Sequence, residues 1–387
     1  MKSKRVLILV LAVFIVLTAV ACDLVSSTVE SLFDGGFVLP PTIATNTINF
    51  EITGVGTGLR GYDNFPSITL FVQPKNPADS VVIPNLVEAD FFDVIDDNGE
   101  ARPIEVTPRG SVTTSNNMAD IVFVIDTTGS MYGYLDTMVT KAQDFADTLE
   151  ASDVDYRVGY VTFGDDIRKG DHERLAPTSD ILTFKTEIDL ITAYGGDDSP
   201  ENQIDAIDYA RAGTSETTSN PAGSFQNDMG FLYRDAAIRM FILITDIDYH
   251  EPGESYSDVL GYYPGGVANT VAQEIAKLNA TGAVCYVVAP SYYEDDYEEL
   301  ATGTGGAFFD GETDFAGIID TIGEEITTRG DYMITFMTND FTANKLHTLR
   351  LAVHTSLGDA QGIVTYTSPA VVNYTRAMEI YEAGLAE

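Results

Sequence analysis

The chain has 387 residues, 44% of them hydrophobic, so it is long enough for two domains or for one large domain with a sizeable core. Acidic residues outnumber basic residues 59 to 21, and the formal net charge is −38. A surface this acidic repels phosphates, which argues strongly against nucleic acid as a partner, and it suits a protein that meets divalent cations or high salt. Acid that merely keeps the protein soluble would explain much of the same excess.

The N-terminus has the pattern of a secretory signal. The basic start Lys2–Arg5 precedes the apolar run Val6–Leu17, which is too short to span a bilayer as a stable helix. The run leads to the sequence AVAC, which ends at Cys22 and resembles a bacterial lipobox. The resemblance implies cleavage before Cys22, lipidation of that cysteine and a lipid-anchored protein of the bacterial cell envelope. Ordinary cleavage near Ala21 is the alternative.

Short alternating runs flank the middle of the chain and predict antiparallel strands. INFEITGV, SITLFVQP and ADFFDVID follow Thr47, and DYMITFM, KLHTLRLAVHT and QGIVTYTSP follow Arg329. Neither flank has enough strands for an independent sandwich, so we predict one β-sandwich that is split by the domain between its halves. The stretch DDNGE, Asp96–Glu100, predicts a hairpin turn in the first half.

The region from Asp120 to about Arg329 alternates between apolar strands and helical segments. The strands are IVFVI, RVGYVTF, RMFILIT and AVCYVVA. The clearest helix follows Met131, where apolar residues recur at i, i+3 and i+4 from Tyr134 to Leu149. This alternation predicts an α/β fold, a doubly wound and mostly parallel sheet with helices on both faces.

Three acid-bearing loops follow elements of the predicted sheet. The first is Asp126–Ser130, the second is Gly195–Ile207, and the third is Ile244–His250. Ligands of open parallel sheets bind outside the carboxyl ends of the strands, so we expect the three loops to converge there.

The first loop supplies oxygen ligands in a regular spacing. Alternate residues of an extended segment face the same way, so Asp126, Thr128 and Ser130 present three oxygens to one point. With carboxylates from the other two loops, the set suits Mg²⁺, Mn²⁺ or Ca²⁺ and does not suit Zn²⁺. Neutral hydroxyl ligands leave such an ion under-neutralised, so an incoming carboxylate still gains by coordinating it.

The first loop, IDTTGSM, resembles the D-x-[ST]-x-S motif of von Willebrand factor A (VWA) domains, which is their metal-ion-dependent adhesion site. The likeness extends over roughly Asp120–Arg329, and the DDSPENQIDAI and ITDIDYH stretches are most similar to the A-type domain of integrin β subunits. The resemblance implies a VWA fold and a Mg²⁺, Ca²⁺ or Mn²⁺ site. The implied metal ligands are Asp126, Thr128, Ser130, Glu201 and Asp246.

The second loop leaves alternatives open. Other members of the family use a hydroxyl there, so Ser199 could replace Glu201 as the ligand, and Asp198 could serve an adjacent metal site. Without a metal, Asp246 would be a helix N-cap and Glu201 a first-turn acid that the helix dipole favours. Integrin β domains carry further carboxylates after the first motif, where this chain has Tyr132–Tyr134, so their neighbouring cation site is predicted to be absent.

These patterns divide the chain into six parts. They are the lipoprotein signal peptide (1–21), a tether (22–46), the first half of the sandwich (47–117), the VWA domain (118–330), the second half of the sandwich (331–370) and a C-terminal tail (371–387).

The sequence offers no catalytic set, so we predict that the protein is not an enzyme. His347 and His354 are predicted to be solvent-facing strand residues, and Cys285 is predicted to be a buried core residue. We predict a cell-envelope lipoprotein whose VWA domain binds an acidic side chain of a protein ligand through a divalent metal, in adhesion or complex assembly. The alternative is a structural subunit of an envelope complex, with a metal-stabilised fold and no reversible ligand.

Overall fold

A computed structural model describes residues 43, 45–60, 65–96, 104–112, 117–152, 154–167, 171–196, 200–212, 217–220, 223–226, 233–252, 269–311, 321–323, 329–337 and 345–368. The signal segment, Cys22, Asp198 and Ser199 lie outside these ranges. None of the helices within them has the length and apolarity needed to cross a membrane.

The described part of the chain contains fifteen strands and five α-helices with defined bounds, and residues 321–323 are also helical. The strands are β1 (Asn49–Arg60), β2 (Phe65–Lys75), β3 (Phe91–Asp96), β4 (Ile104–Gly110), β5 (Met118–Asp126), β6 (Asp155–Phe163), β7 (Arg174–Thr178), β8 (Thr217–Asn220), β9 (Gly223–Gln226), β10 (Ala237–Ile244), β11 (Ala283–Ala289), β12 (Phe308–Asp310), β13 (Gly330–Met337), β14 (Leu346–Thr355) and β15 (Gly358–Thr367). The helices are α1 (Leu135–Glu150), α2 (Ile181–Ile188), α3 (Gln203–Ala212), α4 (Val271–Ala280) and α5 (Glu294–Gly303).

The middle of the chain forms one six-stranded sheet in the order β12-β11-β10-β5-β6-β7. All neighbours are parallel except β6 and β7, which are antiparallel. The chain builds outward from β5 through β6 and then crosses to β10 on the other side. The topological switch point therefore lies between β5 and β10, where open α/β sheets bind ligands.

Helices cover both faces of this sheet, because each central strand is apolar on both sides. In β5, Ile121 and Phe123 pack with α1 and α2, whereas Val122 and Val124 pack with α3, α4 and α5. The predicted apolar stripe of α1 is buried from Leu135 to Leu149, whereas Tyr134, its predicted first member, is 45% exposed. Buried strands of this kind have no polar side to orient them, so the helices on the two faces fix their position.

The flanks form two antiparallel sheets, ordered β1-β2-β13-β4 and β15-β14-β3. Each sheet combines strands from before and after the central domain, and both sheets contribute to one core. That core includes Leu70, Tyr332, Ile334, Leu351 and Val353. The predicted fold class, a doubly wound VWA-like sheet inserted in a split β-sandwich, is confirmed.

Two local predictions in the sandwich were wrong. The strands on either side of Asp96–Glu100 do not pair with each other within the described ranges, because β3 pairs with β14 in one sheet and β4 pairs with β13 in the other. Residues 97–100 themselves lie outside the described residues. His347 is buried rather than solvent-facing, since its ring stacks on Tyr366 at 4.9 Å and its Nε2 lies 2.7 Å from the hydroxyl of Ser368. The side chain of His354 is exposed, as predicted.

A buried arginine joins the sandwich to the central domain. Arg109 of β4 binds Asp331 of β13 through two hydrogen bonds of 2.6 and 2.5 Å. Its guanidinium also lies 4.4 Å from the ring centre of Phe71 and donates to the carbonyl oxygens of Gly282 and Ala237 at 3.1 and 3.5 Å. Ala237 begins β10 and Gly282 precedes β11, so the sandwich covers the amino ends of the parallel strands.

Candidate metal centre

The first loop begins at the carboxyl end of β5, where Asp126 is completely buried. Its Oδ1 accepts hydrogen bonds from the backbone N–H of Thr128 at 2.9 Å and from the hydroxyl of Thr128 at 2.7 Å. Its Oδ2 accepts from the hydroxyl of Thr245 at 2.7 Å. Hydroxyls on both oxygens therefore fix the carboxylate in place.

Hydrogen bonds extend from this carboxylate across to the third loop. The hydroxyls of Thr128 and Ser130 lie 3.1 Å apart, and Ser130 donates to Oδ1 of Asp246 at 3.0 Å. Asp246 comes two residues after the end of β10, the strand next to β5. Four of the five predicted ligands, Asp126, Thr128, Ser130 and Asp246, thus form one chain of oxygen atoms at the topological switch point.

Glu201 of the second loop lies beside this chain and is almost completely buried. A Cβ added to Gly196 would lie 3.1 Å from Oε1 of Glu201 and 3.1 Å from Cβ of Thr128, so the lack of a side chain at Gly196 leaves room for both. Gly196 also has a φ of +89°, which L-residues rarely adopt. The second loop is fixed to the first by a backbone hydrogen bond from Gly129 to Gly195 at 2.9 Å.

Side chains that sequence reasoning missed hold the third loop. Thr245, which binds Asp126, accepts a 3.1 Å hydrogen bond from the amide of Gln203 at the start of α3. The same amide donates to the carbonyl of Asp248 at 3.0 Å, and the hydroxyl of Tyr297 donates to the carbonyl of Ile247 at 2.7 Å. The position of Thr245, a hydroxyl residue between the end of a strand and a predicted ligand, could have indicated its role from the sequence. Nothing in the sequence around Gln203 indicates its role.

Burial sets the electrostatics of the site. Desolvation raises the pKa of Asp126 to about 6, although hydrogen bonds from Thr128 and Thr245 oppose the shift. Desolvation also raises the pKa of Asp246, and Ser130 opposes that shift. Within the described ranges, the contacts of these two carboxylates are hydroxyls and backbone groups, with no ion pair to Lys, Arg or His.

The structure tests the alternative roles of Asp246 as a helix N-cap and of Glu201 as a first-turn acid. No helix begins between Asp246 and residue 252, so Asp246 caps none within that range, and Glu201 precedes α3 instead of lying in its first turn. Ser199 and Asp198 lie outside the described residues, so the choice between Glu201 and Ser199 stays a prediction. No group of three or more His, Cys, Asp or Glu side chains placed to hold a metal occurs among the described residues.

The von Willebrand factor type A domain family matches residues 120–323, more than half of the chain. The chain belongs to the VWA family. A solved von Willebrand factor type A structure from Catenulispora acidiphila is similar to this VWA protein at 11% sequence identity, over 89% of this chain and 78% of that chain, with a TM-score of 0.38. No curated protein matches.

VWA domains often bind a divalent metal, and the donor set of this chain fits one. Every predicted ligand offers oxygen, which is the atom that Mg²⁺ and Ca²⁺ prefer. Asp246 is close enough to Asp126 for its charge to raise the pKa of Asp126, and a cation bound between the two carboxylates would relieve this repulsion. A cation held by Asp126, Thr128, Ser130, Glu201 and Asp246 would supply a Lewis-acidic contact for an external oxygen ligand.

Proposed function

We propose that this protein is a bacterial cell-envelope lipoprotein whose VWA domain binds a protein ligand through a divalent metal. The ligand contributes an acidic side chain, and the function is adhesion or complex assembly without catalysis. Membership of the VWA family supports a general role in protein interaction. The finer proposal has its main support in the chain of oxygens from Asp126 through Thr128 and Ser130 to Asp246.

The position of the sandwich supports a role in display. Arg109 joins the sandwich to the amino ends of β10 and β11, whereas the predicted ligands lie at the carboxyl ends. Eight residues of β10 separate the two ends, about 25 Å at the usual rise per strand residue.

We propose that lipidated Cys22 anchors the chain. The metal face, which is the surface formed by the loops that carry Asp126, Glu201 and Asp246, would then point away from the sandwich. Loss of the protein from membranes in Cys22→Ser is the expected outcome, and an unchanged membrane fraction would refute the anchor.

Metal binding is tested by thermal unfolding of the chain without its signal peptide, in chelator and in Mg²⁺. A metal that binds only the folded state stabilises it by about 2.7 kcal/mol at roughly a hundredfold excess over Kd, so the wild type should melt higher in Mg²⁺. Asp246→Ala should melt near wild type in chelator and lose most of the Mg²⁺ shift. Asp136→Ala, which removes an exposed carboxylate from the first turn of α1, is the control and should keep the shift. An Asp246→Ala variant that keeps the full shift would refute the site.

Reversibility separates this proposal from a permanent structural role. If the metal mediates ligand binding, chelator should release envelope partners captured on the wild-type protein, and added Mg²⁺ should restore them. Partners that stay bound through chelation, or that Asp246→Ala also captures, would favour the structural subunit.

A further inference from the structure

A small apolar pocket lies beside the candidate metal centre. It has a volume of about 50 Å³, which suits a small aliphatic side chain, and Asp246 and Thr245 form part of its wall. Since a predicted metal ligand lines the pocket, one partner segment can fill it while coordinating the metal. Its apolar lining comprises Met131, Met138, Ile244, Val288 and Pro290.

Exposed tyrosines surround the same face. Tyr132 and Tyr134 follow the first loop, and the backbone N–H of Tyr194 donates to the carbonyl of Thr127 at 2.8 Å. Tyr292 follows Pro290 of the pocket. These four side chains are 45% to 81% exposed, although aromatic rings are usually at least half buried. Tyrosines with exposed rings are enriched at protein interfaces, where each ring buries a large area at low entropic cost.

The far side of the face is acidic. The backbone N–H of Glu201 donates to the carbonyl of Asp248 at 3.1 Å, and the hydroxyl of Tyr249 donates to the carbonyl of Asp296 at 3.3 Å. These contacts place the start of α5 beside the second and third loops. Its exposed acids are Glu294, Asp295, Asp296, Glu298 and Glu299, and Glu251 is exposed nearby.

The net charge of the site with a divalent cation bound also favours partners of one charge over the other. Asp126, Glu201 and Asp246 carry three negative charges when ionised, so a divalent cation would leave the site with a net charge of −1. The expectation from the sequence that the ligands under-neutralise the ion therefore does not hold for this set of three carboxylates. A partner carboxylate on the metal therefore adds to an existing negative charge, and the acids of α5 oppose it further. Positive charge on the partner, next to that carboxylate, removes the repulsion.

We propose that the metal face binds a positively charged polypeptide segment in which an aliphatic side chain neighbours the metal-bound carboxylate. This assignment rests on the proposed function, because it uses the same metal. It adds the pocket as the aliphatic subsite and the acids of α5 with Glu251 as the subsite for basic residues.

Four labelled peptides test the assignment by fluorescence anisotropy in Mg²⁺. The reference peptide has a Leu-Asp centre with two lysines on each side, and the others replace Asp by Asn, Leu by Gly, or all lysines by glutamates. The Leu-to-Gly and Lys-to-Glu peptides should each bind about tenfold more weakly than the reference. Equal affinity of either peptide and the reference would overturn the corresponding subsite.

The Asn peptide and chelator separate this test from that of the proposed function. Binding that survives both would refute the metal-dependent function itself. If Mg²⁺ raises the melting temperature but none of the peptides binds, the metal site stands and the assignment of a basic polypeptide is overturned.

Variants of the protein assign each subsite. Thr137 lines the pocket and is exposed on α1, so Thr137→Leu should reduce the difference between the Leu and Gly peptides, whereas Thr140→Leu, one turn further along α1, should not. The double variant Glu251→Lys and Glu299→Lys should weaken the lysine peptide and strengthen the glutamate peptide. The matched double variant Glu88→Lys and Glu150→Lys makes the same charge change outside the face, and an equal effect of both pairs would overturn the acidic subsite.

Discussion

At the residue scale, the candidate site is built around one buried carboxylate. Asp126 is completely inaccessible, and burial raises its pKa from 3.8 to about 6. Hydroxyls from Thr128 and Thr245 hold its position but only partly compensate its charge. The fold is therefore less stable at neutral pH than it would be with this carboxyl group protonated, and we expect a bound cation to offset that cost.

This burial predicts a pH dependence. Because the pKa of Asp126 is higher in the folded state than in the unfolded state, its contribution to stability is present below about pH 4 and is lost as the pH rises through about 6. Asp126→Asn should therefore be more stable than wild type at pH 7 in chelator, by at most about 3 kcal/mol. Urea unfolding between pH 4 and 8 measures this difference. Parallel stability profiles for the two proteins would contradict it, and Mg²⁺ should stabilise only the wild type.

At the element scale, periodic segments were predictable and one turn was not. The stripe of α1 and the apolar runs of β5, β10 and β11 contain enough residues to fix their type and burial. The turn signal at Asp96–Glu100 is local, but the partners of its two strands lie more than 200 residues away. Cross-strand packing with β13 and β14 therefore decided the pairing, against the local turn preference.

The loop that carries Gly196 gives a prediction at this scale. Gly196→Ala should destabilise the fold by about 1–2 kcal/mol, because its φ is positive and the new methyl group would press on Glu201 and Thr128. Mg²⁺ affinity should also fall, since these two residues would move apart. Calorimetric titration with Mg²⁺ measures the affinity, and thermal unfolding measures the stability.

Gly133→Ala is the matched control. An added Cβ there meets no atom within 4 Å, and Gly133 lies in the turn that follows the first loop. We expect Gly133→Ala to bind Mg²⁺ with the same affinity as the wild type. If Gly196→Ala also keeps wild-type affinity, Glu201 is not held at the metal through this contact.

At the scale of the whole molecule, one buried arginine of the sandwich, Arg109, contacts the VWA domain. Arg109 and Asp331 are both buried and lie opposite each other on neighbouring strands. Further contacts of Arg109 reach the amino ends of β10 and β11. The two parts of the protein therefore share a junction that contains a buried charged group.

Breaking this pair should be costly. Arg109→Met leaves the carboxylate of Asp331 buried without its partner, so we expect a loss of about 3–5 kcal/mol in urea unfolding. Arg109→Met with Asp331→Leu should recover much of that loss, because neither charge then stays buried alone. Equal stabilities of the single and double variants would contradict this explanation. Mg²⁺ affinity should stay unchanged in whichever variant folds, because the junction lies at the opposite end of the sheet.

The sequence by itself determined the VWA-like central fold, the split sandwich and the position of the first loop of the candidate site, because strand and helix periodicity and one short motif encode them. Only the tertiary structure decided how the three loops meet. The hydroxyl of Thr245 on Asp126, the amide of Gln203 under the third loop and the space that Gly196 leaves for Glu201 all depend on contacts between distant segments. The burial of His347 arose in the same way, since an alternating strand shows two faces but does not show which face another element covers.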